Sequence, residues 1–297
     1  MLRQQIRRFV PAGLRPHLGA LRRRVVAHPL RVRAQRRRLL RDPSLGARQR
    51  ELLDRVSDRI HFRDGMYAGD GESYFRAGLS AVDCLDDVLR RACPPQIRRF
   101  LDLPCGYGRE LRFFVLRFPG AAFTACDIQP GAVDFCAREF GARPVYSRPD
   151  LSEVSFEEDF DLVWCGSLVT HLDAGATLEL LRLFARHLAP GGLAVFTTNG
   201  DHVARRMREG GATYDLPAEY AAAVTGSYAR TGQGYHDYPR GQGYFDFHPE
   251  GRGYGVSVTA PDWIRAQARR AGPLEEVYFK ERGWADHQDV FAFVRRD

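Results

Sequence analysis

The chain is expected to fold as an α/β domain built on a mostly parallel sheet with helices on both faces. Three observations carry that expectation. Strand-length apolar runs alternate with helical stripes between residues 99 and 198. A glycine-bearing turn, Pro104-Cys-Gly-Tyr-Gly108, separates the first run from the helix after it. An acid, Asp127, ends the second run nineteen residues beyond Gly108, where it can take two ribose hydroxyls while the turn lets backbone approach a ligand.

Residues 1–47 read as a basic arm. Residues 1–41 hold thirteen arginines and no acid; since the whole chain is at +7, the rest sums to −6. The basicity belongs to the arm. Residues 2–27 suit a broken amphipathic helix with Leu14, Leu18, Leu21 and Val25 near one face and Pro11, Pro16 and Pro29 as interruptions. Residues 48–95 read as a helical cap. Leu52, Leu53, Val56 and Ile60 form a stripe, the glycines of 62–72 form a loop, and Ser73 caps a helix to Ala92 that Pro94-Pro95 stop.

The α/β domain is expected over 96–297. Strands are assigned to 99–103, 122–126, 143–147, 160–165 and 192–198, with helices at 108–118, 130–140 and 174–189, the last capped by Asp173. An insertion at 201–256 interrupts this pattern. It holds a helix near 217–224 and then glycines and aromatics too dense for a flexible linker, read as short antiparallel strands, a lid, or a loop whose aromatics pack on the sheet. Thr259-Ala-Pro-Asp-Trp263 opens a further helix ending at Gly272, and strands at 275–281 and 288–295 close the sheet.

Asp102-Leu-Pro-Cys-Gly-Tyr-Gly108 resembles motif I of the class I S-adenosylmethionine (SAM) dependent methyltransferases, D/E-x-G-x-G-x-G, with Pro104 in place of the first glycine. A dinucleotide fingerprint would need a third glycine where Leu111 stands, which argues against an NAD-dependent dehydrogenase. Phe160-Asp-Leu-Val-Trp-Cys-Gly-Ser167 resembles motif IV, and Leu180 to Asn199 resembles the helix, Pro-Gly-Gly turn and fifth strand of the same family. The likeness spans residues 97–200. It implies a Rossmann-like seven-stranded sheet, mostly parallel, ending in an antiparallel strand pair, with SAM as cofactor. It also implies a donor site. Cys105 and the Gly106-Tyr107-Gly108 backbone lie along the methionine part, with Asp102 near its amino group. Asp127 takes the ribose, Ile128 and Asp150 flank adenine, and Cys165 and Gly166 end the fourth strand. Asp150 is equally well read as a helix-capping acid.

A hydroxyl acceptor benefits from a general base, and two histidines are candidates. His171 follows the fourth strand in Ser167-Leu-Val-Thr-His171. His287 lies in Gly283-Trp-Ala-Asp-His-Gln-Asp-Val290, which resembles the C-terminal segment of bacterial methyltransferases found alongside glycan-building enzymes; Asp286 or Asp289 could orient its ring. His202, His236 and His248 lie in or near the insertion and could meet substrate. No histidine or cysteine pair has ligand spacing, so no metal is expected.

Trp164-Cys-Gly-Ser167 is not the N/D-P-P-Y/F run with which DNA amino-methylases hold a flipped base, and no paired-glutamate loop of the arginine-methylating kind is present. The expected function is therefore O-methylation of a sugar or small-molecule hydroxyl. The rivals are an RNA methyltransferase using the arginine arm, and a non-catalytic scaffold on a cofactor fold. The arm reads first as a solvated segment that docks partly on its own domain and next as one that suits an anionic membrane surface; with Phe9 its lone aromatic, nucleic acid comes last. Six scattered cysteines, no signal-like start and no run long enough for a membrane span fit a cytoplasmic protein, peripheral to the inner membrane surface if the arm docks there. Oligomeric state is not legible.

Overall fold

The structure is a computed structural model whose described residues are 23–94, 96–211, 213–214, 216–238 and 253–296. Most of the broken helix expected over 2–27 and the aromatic run from 239 to 252, with His248, lie outside them.

Three N-terminal helices come first: α1 (Pro29–Leu39), α2 (Ala47–Arg55) and α3 (Gly71–Ala92). Residues 29–39 of the expected arm thus form a packed helix. Pro29 begins α1 and does not interrupt it, because a first-turn N–H has no intrahelical partner to lose. α1 buries Val32, Arg36 and Leu39, and Arg36 Nε pairs with Asp58 at 2.6 Å. α2 ends at Arg55, so Ile60 lies beyond the helix although it is buried. Asp70, and not Ser73, caps α3, accepting the N–H groups of Glu72 and Ser73.

The sheet strands and their helices follow as β1 (Arg99–Asp102), α4 (Leu111–Arg117), β2 (Ala122–Asp127), α5 (Pro130–Phe140), β3 (Arg143–Tyr146), β4 (Phe160–Cys165), α6 (Ala174–His187) and β5 (Leu188–Thr198). Asp173 caps α6 through the Ala176 N–H. β5 begins earlier than expected because Leu188 pairs with Phe160 before a register shift, which takes the Pro-Gly-Gly segment into the strand. After β5 come α7 (Asp201–Arg208), a helix the sequence reading missed, and α8 (Ala218–Thr231). The antiparallel pair β6 (Gln233–Asp237) and β7 (Gly255–Thr259) follows, then α9 (Pro261–Ala271), β8 (Leu274–Trp284) and β9 (Gln288–Arg295).

The main sheet has seven strands in the order β3-β2-β1-β4-β5-β9-β8. The first five are parallel; β9 runs antiparallel to both β5 and β8. Alternation along each strand splits the core. Phe100, Leu162, Trp164 and Val195 face one side with α1 to α4, while Leu101, Val163, Cys165, Ala194 and Phe196 face the other with α6 and α9. The strand order reverses between β1 and β4, and ligands of such sheets bind outside the carboxyl ends of the strands at that point.

Candidate active site

β1 ends on Asp102 and β4 on Cys165, side by side at the reversal. The turn after β1 is held from both neighbours: Leu103 N–H donates to the Trp164 carbonyl at 3.0 Å, and Cys105 N–H to the Cys126 carbonyl at 2.9 Å. Gly106 N–H then donates to Asp127 Oδ2 at 2.8 Å, and Gln129 N–H to Oδ1 at 2.9 Å. Asp127 is 4% exposed. Burial pushes its carboxyl up, and the N–H groups of Gln129, Gly106 and Ile128 oppose that. Each oxygen keeps a second lone pair, enough for a vicinal diol.

Asp102 is 1% exposed, and its Oδ2 has no hydrogen-bond partner among the described residues. Burial, with Glu110 and Asp127 nearby, pushes this carboxyl well above the usual range. An unpaired buried carboxylate is costly, and an ammonium group is the partner that would satisfy it.

The two glycines of the turn serve different ends. Gly106 has φ +47°, and a Cβ built there meets nothing within 4 Å, so a ligand has room to approach. Gly108 has φ +71°, but a Cβ there would sit 2.3 Å from the Phe140 ring. Its missing side chain lets α5 close on the turn, so the expectation that it fronts the ligand applies to Gly106 more than to Gly108. The Tyr107 ring stacks on His61, with centroids 4.5 Å apart and planes at 4°. Cys105 is buried against Cys136. Ile128 is half-buried beside Asp127. Asp150 is exposed and caps the 3₁₀ turn Leu151–Glu153, accepting the Ser152 N–H at 2.9 Å; the Ser152 hydroxyl first, and then that N–H, hold its carboxyl below the usual range. Of the two readings left open for Asp150, this geometry is the capping one.

Past Cys165, which is fully buried, Gly166 lies against Trp164 and Trp284. Ser167 has φ +61° and is clamped. Its N–H donates to Thr197 Oγ1 at 2.8 Å, Thr197 donates to Gln288 Oε1 at 2.6 Å, and Gln288 Nε2 donates to Ser167 Oγ at 2.7 Å. With the amide in this orientation, Thr197 spends its one hydrogen on the amide oxygen and Ser167 Oγ accepts from the amide nitrogen. The Ser167 hydrogen is left over.

His171 stands on the turn after Ser167. Its Nδ1 lies 2.8 Å from the Gly255 carbonyl, which can only accept, so Nδ1 carries the hydrogen and Nε2 the lone pair. The Tyr254 ring stacks on it at 4.8 Å, and burial pushes its pKa down from 6.5. The insertion thus reaches His171 through Gly255 of β7 and Tyr254 just before it. His287 is oriented differently from expectation. Asp286 pairs with Arg282 at 2.7 Å and Asp289 accepts the Arg282 N–H at 2.9 Å, so neither touches the ring. Tyr214 Oη lies 2.7 Å from Nε2, and the His202 ring meets His287 edge-on at 6.0 Å. His236 stacks on Tyr220 at 4.0 Å.

Sequence reasoning missed the roles of Tyr214, Thr197 and Gln288, and had Tyr254 only as one of the insertion's aromatics. The bonds Tyr214–His287, His171–Gly255 and Ser167–Gln288 span 73, 84 and 121 residues, separations at which local patterns carry no signal. It also missed Arg112, which is buried on α4 with no carboxylate partner among the described residues. Its five N–H···O bonds run to the carbonyls of Ser57, Arg59, Tyr107 and Gly108 and to the Tyr74 hydroxyl, so the N-terminal helices brace the back of the turn.

A methyltransferase-domain family model matches residues 101–194. The cypemycin N-terminal methyltransferase of a Streptomyces species is 32% identical over 181 residues, which cover 55% of this chain and 72% of that protein. The chain belongs to the SAM-dependent methyltransferases. The malonyl-[acyl-carrier protein] O-methyltransferase of Acetivibrio thermocellus is 25% identical over 151 residues, 50% of this chain; the chain spans about half of that relative's length, 51%. Among solved structures, a sugar N-methyltransferase from a Streptoalloteichus species shares the fold, at TM-score 0.50 and 20% identity, covering 78% of this chain and 91% of that one. SAM is the methyl donor of the family. The unpaired Asp102 oxygen and the open face of Gly106 fit its ammonium and amino-acid tail.

Proposed function

We propose that this methyltransferase methylates a hydroxyl of a sugar or other small molecule. The observation that carries the choice of oxygen is His171. Its Nδ1–H is fixed on a backbone carbonyl, and its burial keeps the ring neutral near physiological pH, so Nε2 is a ready base. An amine acceptor needs no such base once it is neutral. The names of the similar proteins span oxygen and nitrogen acceptors, so they do not choose between them.

SAM, when bound, supplies an activated methyl on a sulfonium. In this reading Asp127 accepts the ribose hydroxyls, Asp102 accepts the ammonium, and the Gly106 backbone borders the methionine chain. Cys105, Tyr107 and Gly108 hold that turn in shape, Ile128 and the Asp150 loop border adenine, and Cys165 and Gly166 form the floor. His171 Nε2 takes the acceptor's proton, and Ser167 donates its leftover hydrogen to an acceptor oxygen to align it. His287, held by Tyr214, lines the far wall and is the second base candidate. The insertion at 201–256 supplies the wall carrying Tyr254. We place the protein in the cytoplasm, in keeping with six free cysteines.

Calorimetry with S-adenosylhomocysteine tests the donor half: Asp127→Ala should weaken binding more than about tenfold, and unchanged affinity refutes the ribose role. Labelled SAM offered to a panel of sugars, other alcohols and amines tests the acceptor half. On the hydroxyl so found, His171→Ala should slow turnover roughly a hundredfold or more with S-adenosylhomocysteine affinity kept. Label appearing only on amines would overturn the oxygen assignment.

A further inference from the structure

Helix α1 is two-faced in a way the site does not use. At 100° per residue, Val32, Arg36 and Leu39 share the buried face. Leu30, Arg31, Arg37 and Arg38 share the opposite one, and all are exposed. Asp58 takes Arg33 and Arg36, at 2.8 and 2.6 Å, whereas Arg31, Arg37 and Arg38 have no carboxylate within salt-bridge distance among the described residues. The outward face is thus uncompensated positive charge with Leu30 set in it.

That leucine has company. Four large apolar residues stand out as exposed among the described residues, and three of them are Leu30 at 67%, Val25 at 60% and Met66 at 51%. The loop carrying Met66 is fastened to this segment. Tyr67 Oη bonds Gln35 Oε1 at 2.7 Å, Gln35 Nε2 donates to the Gly69 carbonyl at 2.7 Å, and Arg24 lies over the Phe62 ring at 4.8 Å. Residues 1–22 continue the composition, with five arginines among Leu2, Ile6, Phe9, Val10, Leu14, Leu18 and Leu21 and no acid. Arginine interleaved with exposed aliphatic side chains matches a negatively charged lipid surface, where guanidinium groups meet headgroups and aliphatic chains enter the acyl boundary. A single-stranded nucleic-acid face would call for exposed aromatics, and the one large exposed aromatic among the described residues, Tyr146, belongs to the edge strand β3; a duplex, held by its phosphates, would give exposed Leu30, Val25 and Met66 no role. No described helix is long and apolar enough to cross a membrane, so the contact would be peripheral.

From this we infer that the outward face of α1, with Val25 and Met66, is a docking surface for an anionic lipid bilayer. The inference is independent of which acceptor is methylated.

The test is co-sedimentation of the full chain with vesicles of phosphatidylcholine alone or with about 30% phosphatidylserine. Binding is expected to the anionic vesicles only, and to fall as salt rises to about 0.5 M. The triple variant Arg31→Gln, Arg37→Gln, Arg38→Gln should cut partitioning at least about tenfold with the melting temperature only slightly lowered, since these side chains make no ion pair among the described residues and Arg37 and Arg38 act on α1 only through the charge of its last turn. Leu30→Ser with Met66→Ser should weaken binding while leaving its salt dependence intact, which separates insertion from charge attraction alone. Absence of binding to anionic vesicles, equal binding to neutral ones, or a triple variant that binds like the parent would overturn the proposal. So would an RNA duplex that binds more tightly than the vesicles and displaces the chain from them.

Discussion

Asp102 and Asp127 sit on neighbouring strand ends, yet their surroundings differ. Asp127 has two backbone donors; Asp102 has an oxygen with none. The raised carboxyl of Asp102 means that its ionisation opposes folding. The fold favours the protonated form, so this contribution to stability is complete below the ordinary value of 3.8 and is lost as pH rises through the raised value. Asp102→Asn should therefore melt higher than the parent at about pH 7 without ligand, with the gap closing towards about pH 4. The same variant should bind SAM at least about tenfold more weakly, because a charge-assisted bond to the ammonium is gone. A variant that loses stability at neutral pH, or keeps its affinity, contradicts this account. His171 titrates the other way. Its lowered value keeps Nε2 unprotonated, so the acid limb of turnover should fall below pH 6.5 in the parent, as a pH–rate profile would show.

The elements are joined at close approaches that leave no room for side chains. Gly108 combines φ +71° with the Phe140 ring, so Gly108→Ala should destabilise by about 1–3 kcal/mol, measured by denaturant unfolding. It should also weaken S-adenosylhomocysteine binding, since the shift moves the turn that carries Gly106. At the start of α3, Asp70 accepts two N–H groups and has its carboxyl lowered, chiefly by the Ser73 hydroxyl. Asp70→Ala should cost about 1 kcal/mol, while Ser73→Ala should cost less because Ser73 does not occupy the cap. The sequence reading chose Ser73 because both residues are good caps, and helix ends shift by a residue or two for small differences in energy.

At the scale of the molecule, Arg112 joins the N-terminal helices to the donor turn. Its five N–H groups all have oxygen partners, and removing the guanidinium takes a donor from the Ser57, Arg59 and Tyr107 carbonyls and the Tyr74 hydroxyl, while the Gly108 carbonyl keeps the Arg112 backbone N–H. Arg112→Leu should destabilise by about 3 kcal/mol or more in urea unfolding. If the variant stays folded, it should bind S-adenosylhomocysteine more weakly although Arg112 lies behind the turn. An affinity equal to the parent's would show that the helices do not brace the site.

The alternation of strands and helices, the motif at 102–108 and the acid at 127 were legible as written, because they rest on periodicity and on spacing within one βαβ unit. So was the antiparallel ending, through family likeness. What the chain order could not say is which groups meet across the sheet edge. The Gly255 carbonyl chooses the His171 tautomer, Tyr214 replaces the expected acids at His287, and Gln288 leaves Ser167 its hydrogen. Pro29, a breaker by composition, starts a packed helix because a buried face of Val32, Arg36 and Leu39 awaits it. Local sequence sets backbone preference at short range; partners some seventy to a hundred and twenty residues away are brought together by strand order and burial, which act only once the sheet exists.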